Sequence, residues 1–90
     1  YGEVDLIMRE GTRWVFVEVK TRRSLDFGSP GESVTARKQG QIARAALHFL
    51  FERQAPEGPC RFDVVEVLLA PRNAPQVRHL QAAFDLPEEL

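Results

Sequence analysis

Residues 3–20 alternate twice between apolar and polar side chains around a single glycine, and this pattern narrows the fold more than any other stretch of the chain. In "EVDLIM", Val4, Leu6 and Met8 fall on one face, and Glu3, Asp5 and Ile7 on the other. In "RWVFVEVK", Val15, Val17 and Val19 oppose Trp14, Phe16, Glu18 and Lys20. A period of two belongs to β-strands, whose successive side chains point to opposite faces. "REGT" supplies the turn residue Gly11, so the two runs are expected to pair as a β-hairpin.

Parity then relates the two strands. Whether the loop has two residues at Glu10-Gly11 or four, the numbers of cross-strand partners sum to an odd value. Odd positions of the first strand therefore share a face with even positions of the second. Glu3 and Asp5 join Glu18 and Lys20, on a face that also carries Ile7, Trp14 and Phe16. Opposed residues on one face have Cβ atoms roughly 4.5–5.5 Å apart, so Asp5 and Glu18 can converge on one ion.

The segment "TRRSLDFGSPGES" is rich in Gly, Ser and Pro and reads as a loop, long for so small a domain. A helix follows, with Ser33 or Thr35 as N-cap, running to about Arg53. Ile42, Ala45, Ala46, Phe49, Leu50 and Arg53 recur at helical spacing and are expected to face the sheet. Arg37, Gln41, Arg44 and His48 form a separate polar and basic stripe. "APEGP" ends the helix. "RFDVVEVLL", residues 61–69, is expected to be a central strand covered on both faces. After the turn "APRNAP", "QVRHL" reads as a short fourth strand and "QAAFDL" as a helical turn or short terminal helix. The expected order is β-β-α-β-β, an α/β fold with a mixed β-sheet.

Ninety residues allow one domain, 1–90, of modest stability. No apolar run approaches the ~18 residues of a membrane span, and no secretion signal is visible. The single cysteine, Cys60, precludes an internal disulfide and fits a cytoplasmic setting. The net charge is −1, yet residues 20–44 hold six basic side chains against two acidic ones, while residues 45–90 hold four against seven. That middle segment suits a polyanion, although a solvated mixed-charge surface gives the same counts.

Magnesium and manganese take oxygen ligands, typically one or two carboxylates, leaving room for water and a phosphate. Asp5 and Glu18 offer such a pair. Lys20, on the same face, is placed to assist an attacking water or to stabilise charge developing on a phosphate. The same residues also suit the solvent face of an amphipathic hairpin with weak Glu–Lys pairs. Against that stands the apolar company of Trp14, Phe16 and Ile7, since charges on a buried surface need partners or an ion. His48 and His79 lack a second ligand at a metal spacing and read as surface or packing residues. Asp63, within an apolar strand, is expected to be hydrogen-bonded at a strand end.

"GEVDLI" at 2–7, "VFVEVKTRRS" at 15–24, "FGSP" at 27–30, "KQ" at 38–39 and "FDVVEV" at 62–67 resemble, in that order, the YraN-like family of small bacterial proteins. The fold of that family is similar to the PD-(D/E)XK restriction-endonuclease-like nucleases, including archaeal Holliday-junction resolvases. The resemblance implies a restriction-endonuclease-like mixed sheet flanked by helices. It also implies an N-terminal helix preceding "GEVD", so this chain is expected to be N-terminally incomplete. Asp5 would be the motif aspartate and Glu18 with Lys20 the E-x-K pair, with Glu3 and Gln39 accessory. Asp5, Glu18 and the Val19 main-chain carbonyl would hold Mg2+ or Mn2+. Arg22, Arg23, Arg37, Lys38 and Arg44 are the candidate phosphate contacts. The implied activity is metal-dependent hydrolysis of DNA phosphodiester bonds, on branched or structured DNA, with a dimer as one open oligomeric state. The alternative is a non-catalytic module that keeps the fold and binds nucleic acid or protein.

Overall fold

The computed structural model describes residues 4–23, 34–54 and 59–86. Strands β1 (Leu6–Glu10) and β2 (Arg13–Arg22), helix α1 (Ala36–Glu52), and strands β3 (Cys60–Leu68) and β4 (Gln76–Phe84) follow in that order. The four strands form one sheet in the spatial order β1-β2-β3-β4. β1 and β2 are antiparallel, β2 and β3 parallel, and β3 and β4 antiparallel. The mixed α/β architecture expected from the sequence is present, with α1 the one helix among the described residues.

The hairpin closes at Gly11-Thr12, between the partners Glu10 and Arg13. Gly11 has φ of 62°, the left-handed conformation that two-residue hairpin loops demand and that glycine adopts without steric cost. Leu6 pairs with Val17 and Ile7 with Phe16, so partner numbers sum to 23 and the expected parity holds.

Thr35 caps α1: its Oγ1 accepts from the Lys38 N–H at 3.2 Å. The helix ends where Gln54 turns left-handed, with φ of 57°. Ile42, Ala43, Ala46 and Leu50 are its buried residues. They meet Phe16, Phe62 and Val64 on the even-numbered face of β2 and β3. Ala43 and Ala46, at 0 and 1% exposure, have side chains short enough to let the helix backbone approach the sheet. Phe49 is half-buried, with its ring edge-on to Trp14 and Phe16 at 5.0 and 5.9 Å. Arg53, expected to face the sheet, is instead exposed, with its guanidinium over the Phe49 ring. Phe16, Phe62 and Phe84 stack in sequence across three strands, at 5.7 and 5.1 Å. Each buried phenylalanine contributes roughly 1.5–3 kcal/mol of hydrophobic stabilisation.

The segment 81–84, expected to be helical, is the end of β4. Phe62 pairs with Phe84 and Val64 with Leu80, so Gln81, Ala82 and Ala83 together oppose Asp63 alone. The bulge has Ala82 at φ of 51° and its N–H on Asp63 Oδ1 at 3.0 Å. That bond and the Phe62–Phe84 stack outweigh the helical propensity of the alanines. Arg61 clamps Asp63 through Nε and Nη2, at 2.8 and 2.9 Å, and His79 Nε2 lies 2.8 Å from Oδ2. Burial pushes the Asp63 carboxyl up, but its Arg61, Ala82 and His79 contacts together hold it below its ordinary value. Its contribution to stability is complete above the unfolded carboxyl pKa of about 3.9 and is lost as pH falls through the folded value.

The odd-numbered face differs from the covered one expected for β3. Val15 and Val17 are buried, yet Leu6, Met8 and Val77 are exposed and Val65 and Val67 half-buried. A shallow cavity of about 330 Å³ lies there, lined by Leu6, Met8, Val15, Val17 and Val65 together with Arg61 and His79.

Gly40 lies inside α1, where a Cβ would meet only the Arg44 guanidinium, at 3.3 Å. The Arg44 side chain can swing away, so Gly40→Ala should stabilise the protein by about 0.5–1 kcal/mol. Thermal unfolding checks this; an unchanged or lower midpoint would show that the helix needs glycine there.

Candidate functional site

A parallel neighbour for β2 requires a crossover, and here α1 supplies it. The helix runs back along the sheet, so its N-terminal turn lies beside the carboxyl-terminal halves of β2 and β3. The aromatic floor of Trp14, Phe16 and Phe62 gives way there to Glu18, Lys20 and Glu66 on the same face.

Asp5 immediately precedes β1, opposite Glu18 in the continued register. Its Oδ2 accepts from the Val19 backbone N–H at 2.8 Å, which pins the carboxylate to the strand bearing its candidate partner. Asp5 is exposed, whereas Glu18 is buried. Glu18 Oε1 lies 3.8 Å from Lys20 Nζ and 4.0 Å from Lys38 Nζ. Its other oxygen, Oε2, is buried and has no hydrogen-bond partner among the described residues. Burial raises the Glu18 carboxyl pKa, and the charge of Asp5 raises it further. Lys38 and Lys20 pull it back only in part, and the close approach of the Asp5 side chain adds to the rise. A buried oxygen without a donor beside a second carboxylate is the arrangement that a hard cation relieves, so these residues fit Mg2+ or Mn2+. No group of three or more acidic, histidine or cysteine ligands occurs among the described residues.

The structure therefore brings Asp5, Glu18, the Val19 backbone, Lys20 and Lys38 together. Gln39 supports the arrangement from one side: its Nε2 donates to the Val34 carbonyl at 3.0 Å and ties the first turn of α1 to the residue before its cap. Arg37, Arg44 and Arg23 are exposed. Arg22 points inward, with Nε 2.8 Å from Glu66 Oε2. Glu3 lies outside the described residues. Asp63 is on the opposite face of the sheet from Glu18, with His79 bound to it, and His48 pairs with Glu52 one helical turn on.

Sequence reasoning passed over Glu66, which is 0% exposed and pairs with Lys20 in the parallel register. The signal was the alternation of Phe62, Val64, Glu66 and Leu68, masked by the near-continuous hydrophobicity of the strand. Arg78, the β4 partner of Glu66, was passed over with it.

Residues 1–67 match the family described as "Uncharacterised protein family UPF0102". The chain belongs to this family. It is 51% identical over 84 residues to the UPF0102 protein of Nocardia farcinica, covering 93% of this chain and 66% of that relative. It is 48% identical over 85 residues to the UPF0102 protein of Geotalea uraniireducens, covering 94% and 67%. A UPF0102 protein of Symbiobacterium thermophilum is 51% identical over 83 residues, covering 92% and 70%. The chain thus spans about two thirds of the length of these relatives. No helix among the described residues is long and apolar enough to cross a membrane.

The Glu18 environment has a measurable consequence. A carboxyl raised on folding lowers stability as pH rises from its unfolded pKa, about 4.3, to its folded value, and the penalty is complete above that. Without divalent ions, Glu18→Gln should therefore melt higher than wild type at neutral pH, the gain fading at acid pH. An equal or lower midpoint at neutral pH would mean that Lys20 and Lys38 already neutralise the site.

Proposed function

We propose that this chain is the catalytic portion of a Mg2+- or Mn2+-dependent nuclease of the PD-(D/E)XK type, hydrolysing phosphodiester bonds in branched or structured DNA. The observation that carries this reading is the convergence of Asp5, Glu18 and Lys20 at the carboxyl ends of the parallel strands, with Glu18 Oε2 buried and without a donor. In open α/β sheets, ligands typically bind at that end.

Asp5 and Glu18 hold the cation, with the Val19 carbonyl as a further donor; when bound, the ion supplies Lewis-acid polarisation of a phosphoryl oxygen. Lys20, a third exposed, presents its ammonium to the reacting phosphate, orienting the attacking water or stabilising charge on the phosphoryl oxygens. Gln39 and Glu3 are accessory residues, Gln39 through its hold on the first turn of α1.

The helix terminus supports a polyanionic substrate. The first turn of α1 has no acidic residue and carries Arg37 and Lys38. Cations at a helix N-terminus oppose the macrodipole at a cost of some 0.3–1 kcal/mol each, so helix stability does not explain them. Glu18 accounts for Lys38, and a phosphate backbone accounts for Arg37, since the backbone N–H groups there also attract anions. Arg23 and Arg44 extend the exposed positive charge. Such contacts position DNA without reading its sequence.

One observation favours a second reading. Lys20 and Lys38 already flank Glu18, which suits a non-catalytic module that binds nucleic acid without a metal. The two readings separate in solution. Calorimetric titration with Mn2+ should show binding to wild type that is lost in Asp5→Ala/Glu18→Ala. With Mg2+ or Mn2+, wild type should cut one or more of single-stranded, duplex and four-way-junction DNA. Lys20→Ala should cut roughly 100-fold more slowly or worse while keeping the metal. DNA binding that needs no divalent ion, with no cleavage, would establish the binding module instead.

A further inference from the structure

Glu66 is a fully buried carboxylate that the proposed chemistry does not use. The register places it in a row across three strands, with Lys20 on β2 to one side and Arg78 on β4 to the other. Arg22, two residues beyond Lys20, brings Nε to 2.8 Å from Oε2. Neither Glu66 oxygen is held in hydrogen-bond geometry, so the contact is an ion pair rather than a directed bond. Arg78 Nη1 lies 3.9 Å from Oε1 while half of its side chain stays exposed.

One cation suffices to neutralise one buried carboxylate, and Arg22 is the nearer and more buried of the two. Arg78 is thus a second positive charge on an acid already paired, kept loosely at the site's edge with half of its side chain exposed. We propose that Arg78 is a phosphate-contacting residue of the site and that Glu66 is its positioning residue, an assignment that rests on the DNA reading above. Residues two strands apart in a row are about 10 Å apart, so Arg78 serves a phosphate other than the one at Lys20. The planar guanidinium also suits bidentate contact with phosphate oxygens. Glu66, without solvent access, acts only by holding the guanidinium against the sheet.

The test is the salt dependence of binding to a short fluorescent duplex and to a four-way junction, measured with full-length wild type, Arg78→Gln and Arg78→Lys in Ca2+ buffer to prevent cutting. Each phosphate contact contributes about 0.9 to the slope of log affinity against log salt on duplex DNA. Arg78→Gln should lose about that much slope, and Arg78→Lys should restore it. Glu66→Gln should weaken binding and, because it also takes the partner from Arg22, lower the thermal midpoint; measured below that midpoint, adding Arg78→Gln to it should cost less binding than Arg78→Gln alone. A wild-type slope in Arg78→Gln overturns the assignment while leaving the DNA reading in place. Absence of wild-type binding at low salt overturns both.

Discussion

β2 cannot reach a parallel neighbour by a tight turn, and that constraint organises the rest of the protein. An antiparallel partner needs two loop residues, as Gly11 and Thr12 show; a parallel one needs the chain to travel the length of the sheet and return. α1 makes that journey and must bury its apolar stripe on the way, which it does against Phe16, Phe62 and Val64. The first helical turn is thereby brought to the end of the sheet where β2 and β3 finish. Lys38 meets Glu18 because of this topology, although twenty residues separate them in sequence.

A gradient of polarity runs along the helix-facing side of the sheet. It begins with aromatic rings in edge and stacked contact, then passes through Val64 to Glu18, Lys20 and Glu66. The apolar end supplies the stability that lets the other end hold carboxylates out of water, where each would otherwise be protonated or paired. Glu18 answers with a raised pKa and two nearby ammonium groups, Glu66 with two guanidinium groups. On the far side of the sheet, Asp63 solves the same problem differently, through directed hydrogen bonds from Arg61 and Ala82. Those bonds bring its pKa down and leave it settled. Ionic contacts without directed bonds, on the Glu18 side, leave acceptor capacity for something else.

Local pattern was legible where it was strong. The alternation in residues 3–20 gave the hairpin, its parity and the placing of Asp5 opposite Glu18; the apolar spacing gave the helix but left its cap open between Ser33 and Thr35, and the structure has Thr35. Long-range pairing was not legible. Nothing local in "QAAFDL" announces that an Asp63 nineteen residues away accepts the Ala82 N–H, so helical propensity misled there. Arg22 looked like a free cation at a strand end, and only the parallel register shows Glu66 beneath it. Charge tallies along the chain recognise a basic segment, but they cannot separate the arginine that turns inward from Arg23, which stays outside.

The hydrogen bond from the Val19 N–H to Asp5 makes one carboxylate serve two structures. It replaces a ladder bond just before β1 begins, and it belongs to the acidic pair. Whatever draws electron density from Asp5 also weakens its grip on the strand, and whatever tightens that grip presents the carboxylate in a fixed direction. Linkage makes the two effects equal in free energy. In the metal-binding reading proposed above, the pairing of an edge strand becomes an adjustable element of the site's affinity, and the exchange rate of a single amide, that of Val19, reads out its state.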